Sequence, residues 1–255
     1  MTMQDTFGFR KIPFTREVGV GEMLAMPHLD EARQALVSRI ERRSSVAVIA
    51  PAGTGKTCLL RAVRQELPEA RYRVHYVKVT DLSKRDLCRE IATAIGVQPA
   101  GTYPMLVRRL QEDFEQASSA DGIRPDVLAI LRVLTNFEWD SRLVVSIVLA
   151  GQPPLERLLA KPSCEDVAQR IAFYARLRLL SRDETATYLE HRCTIAGAHT
   201  LPFDRGAIDA LFEMTRGNLR ALDQLALGAL DDAAKGRAKT VAPSNVAAAR
   251  KHLWS

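Results

Sequence analysis

The stretch SSVAVIAPAGTGKTCLL, Ser44 to Leu60, gathers the residue types that hold phosphate. A short apolar run leads into a turn with two glycines, then a lysine and a threonine. Successive backbone N–H groups in such a turn, with the first turn of a following helix, form a positively polarised nest for phosphate oxygens. Gly53 and Gly55 admit backbone conformations that a Cβ would hinder. Lys56 brings a point charge to the terminal phosphates, and the Thr57 hydroxyl suits Mg²⁺. The expected nucleotide contacts are therefore Ala50, Pro51, Ala52, Gly53, Thr54, Gly55, Lys56, Thr57 and Cys58, with Thr57 on the metal side. Ala50 stands where the pattern G-x-x-x-x-G-K-[ST] asks for glycine; its small side chain fits if its φ is negative.

Such a loop needs a strand before it and a helix after it. Val46 to Ala50 reads as a buried strand, and Thr57 to Leu67 as a helix stopped at Pro68. Tyr72 to Val79 alternates and is β-branched, which predicts a second strand. Ser83 to Gly96 predicts a helix with Ser83 as N-cap, and Arg142 to Gly151 the strongest buried strand. The segments YPMLVRRLQEDFEQ and PDVLAILRVLTNF carry apolar residues at helical spacing. Alternating strands and helices predict an α/β fold, a parallel sheet flanked by helices on both faces. After Arg182 only helices are expected: one opened by a capping box of Ser181 and Glu184, then Phe203 to Thr215, Asn218 to Lys235 and Ser244 to Trp254.

Composition narrows the class. Apolar residues are 47% and charged residues 26% of 255, enough for a globular core. No apolar run approaches the roughly 20 residues that span a bilayer, so no membrane insertion is expected. The opening MTMQDTFGFRKIPF lacks a signal-peptide layout. Cys58, Cys88, Cys164 and Cys193 are scattered without a C-x-x-C pair, which argues against a metal site or disulfide framework and for a cytoplasmic protein. The net charge of +6 is compatible with a polyanion such as DNA and equally with an ordinary enzyme.

The chain resembles AAA+ P-loop ATPases, in the branch of general secretion pathway protein A and the ATP-binding helpers of transposons. The resemblance runs through FGFRKIPF, APAGTGKT, RPDVLAILRVLTNF, IVLAGQPPLERLL, AQRIAFYARLRLLSRDETATYLEHR and TRGNLRALDQLALGAL. It implies an N-terminal segment with an adenine-side helix over 1–44, a nucleotide-binding core over 45–181 and a helical lid over 182–255. By the same resemblance Gln152 is a polar sensor beside the γ-phosphate and Arg170 a finger offered to a neighbouring subunit, with Arg176 and Arg178 as rivals. Arg220 in GNLRAL matches a second sensor, and Pro13 and Phe14 match the segment beside adenine. It implies ATP and Mg²⁺ as ligands and a ring or filament of identical subunits.

The family also carries a strand of four apolar residues ending in Asp-Glu, expected between Gln116 and the RPDVLAIL helix. That interval reads ASSADGIRPDV, with no apolar run and no Asp-Glu pair, so the strand is expected to be missing. Asp81, Asp121, Asp126, Glu138 and Asp140 are weak substitutes, Asp121 reading as a turn residue. Hydrolysis is accordingly expected to be slow or absent. Three functions fit: a nucleotide-dependent helper of DNA transposition that recruits a transposase, an ATPase module of a secretion system, or a non-hydrolysing adaptor.

Overall fold

The computed structural model describes residues 2–15, 18–72, 74–78, 84–96, 98–99, 101–102, 104–106, 117–121 and 146–253. Its elements, in chain order, are α1 (Met3–Phe7), α2 (Pro27–Glu41), β1 (Ser45–Ile49), α3 (Lys56–Glu66), β2 (Val74–Lys78), α4 (Lys84–Ile95) and β3 (Ala117–Asp121). Then follow β4 (Ile147–Gly151), α5 (Pro153–Leu159), α6 (Glu165–Ala168), β5 (Ile171–Arg176), α7 (Arg182–Ile195), α8 (Arg205–Thr215), α9 (Leu219–Lys235) and α10 (Pro243–Leu253). The chain divides into a core unit, 26–52 with 56–177, and a helical unit of 1–25, 53–55 and 178–255.

In the core unit five parallel strands run in the order β2-β3-β4-β1-β5. The alternation of β1 shows why the sheet is covered on both faces. Ala47 and Ile49 join one apolar cluster with Leu87, Cys88 and Ile91 of α4 and Leu155 and Leu159 of α5. Val46, Val48 and Ala50 join the other, with Leu36, Val37 and Ile40 of α2 and Leu59 and Val63 of α3. A strand buried on both sides is apolar on both, as Val46 to Ile49 are.

Two expectations are corrected here. The strand expected to be missing is present: Ala117–Asp121 fills the place between β2 and β4, pairing Val74 with Ala117 through Lys78 with Asp121 and Ser118 with Ile147 through Ala120 with Leu149. A ladder is built from main-chain groups, so alanine and serine suffice to continue it, although they lack the apolar bulk that marks such a strand in sequence. Asp121 therefore closes a strand and is not a turn residue. A further strand, β5, lies in a segment to which the sequence assigns no element: IAFYAR lies beside β1, with Val46 paired to Phe173 and Ile49 to Arg176. Of the helix expected over 103–116, residues 104–106 are helical and the rest lie outside the described residues, as do the helix expected over 125–137, the acids Asp81, Asp126, Glu138 and Asp140, and the N-cap Ser83.

In the helical unit local signals act as their chemistry dictates. Ser181 and Glu184 form a capping box, Ser181 Oγ accepting from Glu184 N at 3.2 Å and Glu184 Oε2 from Ser181 N at 2.8 Å. Asp204 caps α8 through Ala207 N at 2.6 Å, and Asn218 caps α9 through Ala221 N at 3.1 Å. Leu222, Leu225, Ala226, Ala229 and Leu230 of α9 are fully buried and form the spine of this unit.

Candidate functional site

The turn after β1 adopts the conformation its glycines permit. Gly53 has φ +77° and Gly55 φ +93°, both in the left-handed region. Helix α3 starts at Lys56, directly after this turn. Its first N–H groups have no partner within the helix, so the turn ends on the positive end of a helix dipole. Ala50 is buried, is not among the residues with positive φ, and donates its N–H to Gly151 O at 3.0 Å. A methyl group is therefore accommodated where the pattern asks for glycine. The Lys56 ammonium bonds the carbonyls of Ala50 at 2.8 Å and Pro51 at 2.9 Å. Those two bonds pin the ammonium across the base of the turn. Thr54 is buried, whereas Thr57 and Cys58 are exposed.

The turn is short of room on one side. An ideal Cβ on Gly53 would stand 2.2 Å from Asn218 Oδ1, and one on Gly55 would stand 3.3 Å from Leu219 Cδ1. Gly53 O also accepts the backbone N–H of Arg220 at 3.3 Å. Arg220 is the second residue of α9, and its side chain is exposed.

Other expected site residues are distributed by the sheet. Gly151 is level with Ile49 in the β1–β4 register, and Gln152 follows it as the exposed N-cap residue of α5. Gln152 therefore lies at the same strand ends as the glycine turn. Arg170 does not. It precedes Ile171, which pairs with Ser45 at the opposite end of β1, about 15 Å from the turn at the usual strand rise. The rivals are engaged: Arg176 Nε donates to Glu156 at 2.9 Å, and Arg178 makes a forked pair with Glu184 at 2.6 and 2.7 Å. Asp121, one position beyond the row Ala120–Leu149–Ala47, ends its strand at the end of the sheet from which the turn leaves.

Near the N-terminus, Pro13 and Phe14 are buried, with Phe14 at φ +58°. The sequence reading did not anticipate what Phe14 packs on. Arg192 of α7 lies over its ring at 5.5 Å and donates to Thr15 O at 2.8 Å, Tyr188 Oη at 2.6 Å and Asp223 Oδ1 at 3.2 Å. Burial raises Asp223 to about 6, against the pull of Arg192 and Tyr188. A buried charged pair linking residues 31 apart leaves no local sequence signal; a polar residue at an apolar helix position is the only hint. The basic tail is also rearranged. Asn245 bonds Asp232 at 2.9 Å and Ala249 packs on Gly228, so α10 runs back along α9. Ala249 lies against Gly228, so roughly 10 Å of helix, at 1.5 Å per residue, separates that contact from Lys235.

A family model described as an AAA domain matches residues 39–159. Over 205 residues the chain is 32% identical to general secretion pathway protein A of Aeromonas hydrophila. The match covers 74% of this chain and 37% of that protein, so the chain spans little more than a third of that relative's length. Among solved structures it is similar to the Orc1 protein of Aeropyrum pernix in complex with DNA, at 18% identity and TM-score 0.71 over 96% of this chain and 70% of that one. Cdc6p of Pyrobaculum aerophilum gives 17% and 0.75 over 94% and 70%. The RuvB Holliday junction branch migration motor of Thermotoga maritima gives 15% and 0.64 over 94% and 73%. These structural likenesses speak for the fold. With its glycine turn on the sheet end that such folds share, and with about a third of its residues matching general secretion pathway protein A over most of its length, the chain belongs to the AAA+ P-loop family.

Proposed function

We propose that the chain is an ATP- and Mg²⁺-dependent AAA+ switch with slow turnover. The observation that carries this is the turn itself, Gly53 and Gly55 in left-handed conformations directly ahead of Lys56 at the start of α3. The residues fit the ligand. Backbone N–H groups of 53–57 would surround the phosphates, Lys56 would exchange its two carbonyls for phosphate oxygens, and Thr57 and Asp121 would hold the ion. Bound Mg²⁺ would neutralise charge on the β- and γ-phosphates. The position of Gln152 after β4, at the strand ends from which the turn leaves, supports a γ-phosphate sensor, and Arg220, whose backbone N–H meets Gly53 O, would turn its guanidinium to the phosphates as a second sensor. A finger at Arg170 would act on a neighbouring subunit's nucleotide, since a strand length separates it from its own turn.

The residue after Asp121 is Gly122, where the family places the glutamate that polarises water. With Asp121 ending the strand and no glutamate after it, the chain would bind nucleotide with little hydrolysis. Titration of labelled ATP against the parent and Lys56→Ala tests binding, and phosphate release from Gly122→Glu tests the missing acid. Tight binding by the parent alone, and turnover raised at least tenfold in Gly122→Glu, is the expected pattern. Equal ATP affinity of parent and Lys56→Ala would refute the reading.

Two settings for such a switch have separate support. The similarity to general secretion pathway protein A favours an ATPase module of a secretion system, acting with a membrane-bound partner. The +6 charge favours a helper of DNA transposition that assembles on DNA and recruits a transposase. DNA retention that falls steeply with salt would select the second, because phosphate contacts release counterions. ATP binding without turnover even in Gly122→Glu would favour an adaptor.

A further inference from the structure

The tightest contact on the glycine turn comes from a residue with no assigned part in nucleotide binding. Asn218 stands immediately before α9 and accepts Ala221 N–H at 3.1 Å, so its Oδ1 is committed to starting the helix. The same Oδ1 lies so close to Gly53 that a Cβ there would be 2.2 Å away, with Asn218 Cγ and Nδ2 each at 2.9 Å. Two further contacts fix the pairing. Gly53 O takes the Arg220 N–H, and Leu219 Cδ1 faces Gly55.

The other side of Asn218 is equally constrained. Arg216 and Gly217 have φ of +51° and +74°, a sharp double turn out of α8. A Cβ on Gly217 would stand 2.0 Å from Leu180 O, and Gly217 O accepts Leu180 N–H at 3.0 Å. Asn218 is thus held from behind by main-chain packing and meets Gly53 in front. An amide has the planar shape and neutral charge to fill this space.

We infer that Asn218 is a positioning residue of the phosphate loop, its amide seating Gly53 while it caps the helix that carries Arg220. Loop shape and sensor position are then set by one side chain. The inference rests on the nucleotide-binding reading above. It also makes a demand on charge. A carboxylate would cap α9 as well as the amide does, yet would stand against a turn that must receive phosphate.

Asn218→Ser keeps a capping oxygen and withdraws the amide from Gly53; Asn218→Asp keeps both shape and cap and adds a charge. Labelled ATP is titrated against both variants, the parent and Lys56→Ala, at low and high salt, with melting temperatures recorded alongside. Both variants should melt within a few degrees of the parent and bind ATP at least tenfold more weakly. The loss in Asn218→Asp should shrink with added salt, because charge repulsion is screened, and that in Asn218→Ser should not. Parental affinity in both variants, or affinity lost only in step with melting temperature, overturns the inference while leaving the nucleotide site standing. Equal binding by parent and Lys56→Ala overturns the nucleotide site and this inference with it.

Discussion

Replacing Arg192 with methionine tests the most buried charge among the described residues of the helical unit. Its side chain is 6% exposed and that of Asp223 19%. The substitution removes bonds to Tyr188 Oη, Thr15 O and Asp223 and two ring contacts, on Phe14 and Tyr188. Methionine keeps most of the volume, so the loss is mainly electrostatic. Breaking a buried pair from one side costs about 3–5 kcal/mol, because the remaining carboxylate is left desolvated. For a chain of this size that is a fall of roughly 6–20 °C in melting temperature. The pH dependence gives a sharper test. Burial already lifts Asp223 from 3.8 to about 6, a cost of about 3 kcal/mol for ionising it in the fold. A group with a raised folded-state pKa contributes stability that is complete below its ordinary value and is lost as pH climbs through the raised one. Without Arg192 the value rises further, so Asp223 stays protonated to higher pH and then costs more to ionise. The deficit of Arg192→Met against the parent should therefore be larger at pH 8 than at pH 5.5, by more than about 1 kcal/mol. Denaturant melts followed by circular dichroism at both pH values measure it. A deficit under about 1 kcal/mol at pH 8, or one that shrinks as pH rises, would refute the account of the pair.

Gly53→Ala should cost about 2 kcal/mol or more, from left-handed strain plus displacement of the Asn218 cap; an unchanged melting temperature would disprove the packing. Arg170→Ala should keep ATP affinity within about threefold yet lose ATP-dependent self-association, as a residue placed for a neighbour's site requires; light scattering with and without ATP reads this. Native thiol titration should find one fast cysteine, Cys58, which is exposed, while Cys88 and Cys193 are buried and pushed up to about 11 and about 12. ATP should slow the reaction of Cys58, and denaturant should release all four thiols.

How much of this was legible follows from where each signal is written. The glycine turn, the helix caps and the C-terminal helices are local: their information lies in residues three or four apart, as with Ser181 and Glu184. The two-faced sheet was legible because β1 is apolar from Val46 to Ile49. Strand β5 carries a weaker signal: IAFYAR has aromatic and branched residues that suit a strand but no clean alternation. The network of Arg192, Tyr188 and Asp223 is invisible to such reading. It joins α7 to α9 and to Thr15, and only the tertiary fold brings them together.

The failure at β3 concerns function most directly. Apolar bulk is a proxy for burial, and its absence in ASSAD suggested that a central strand had been lost. What the chemistry requires is narrower: a main chain that can pair on both edges and an acid at the strand's end. The main chain pairs on both edges, Ala120 with Leu149 and Val77, and Asp121 is the last residue of the strand. Slow turnover would then rest on a single position, Gly122, and not on a missing element. Loss of a strand would compromise the fold and could not be repaired by one substitution. Absence of one carboxylate would leave fold and binding intact, and a glutamate introduced at that position should raise hydrolysis.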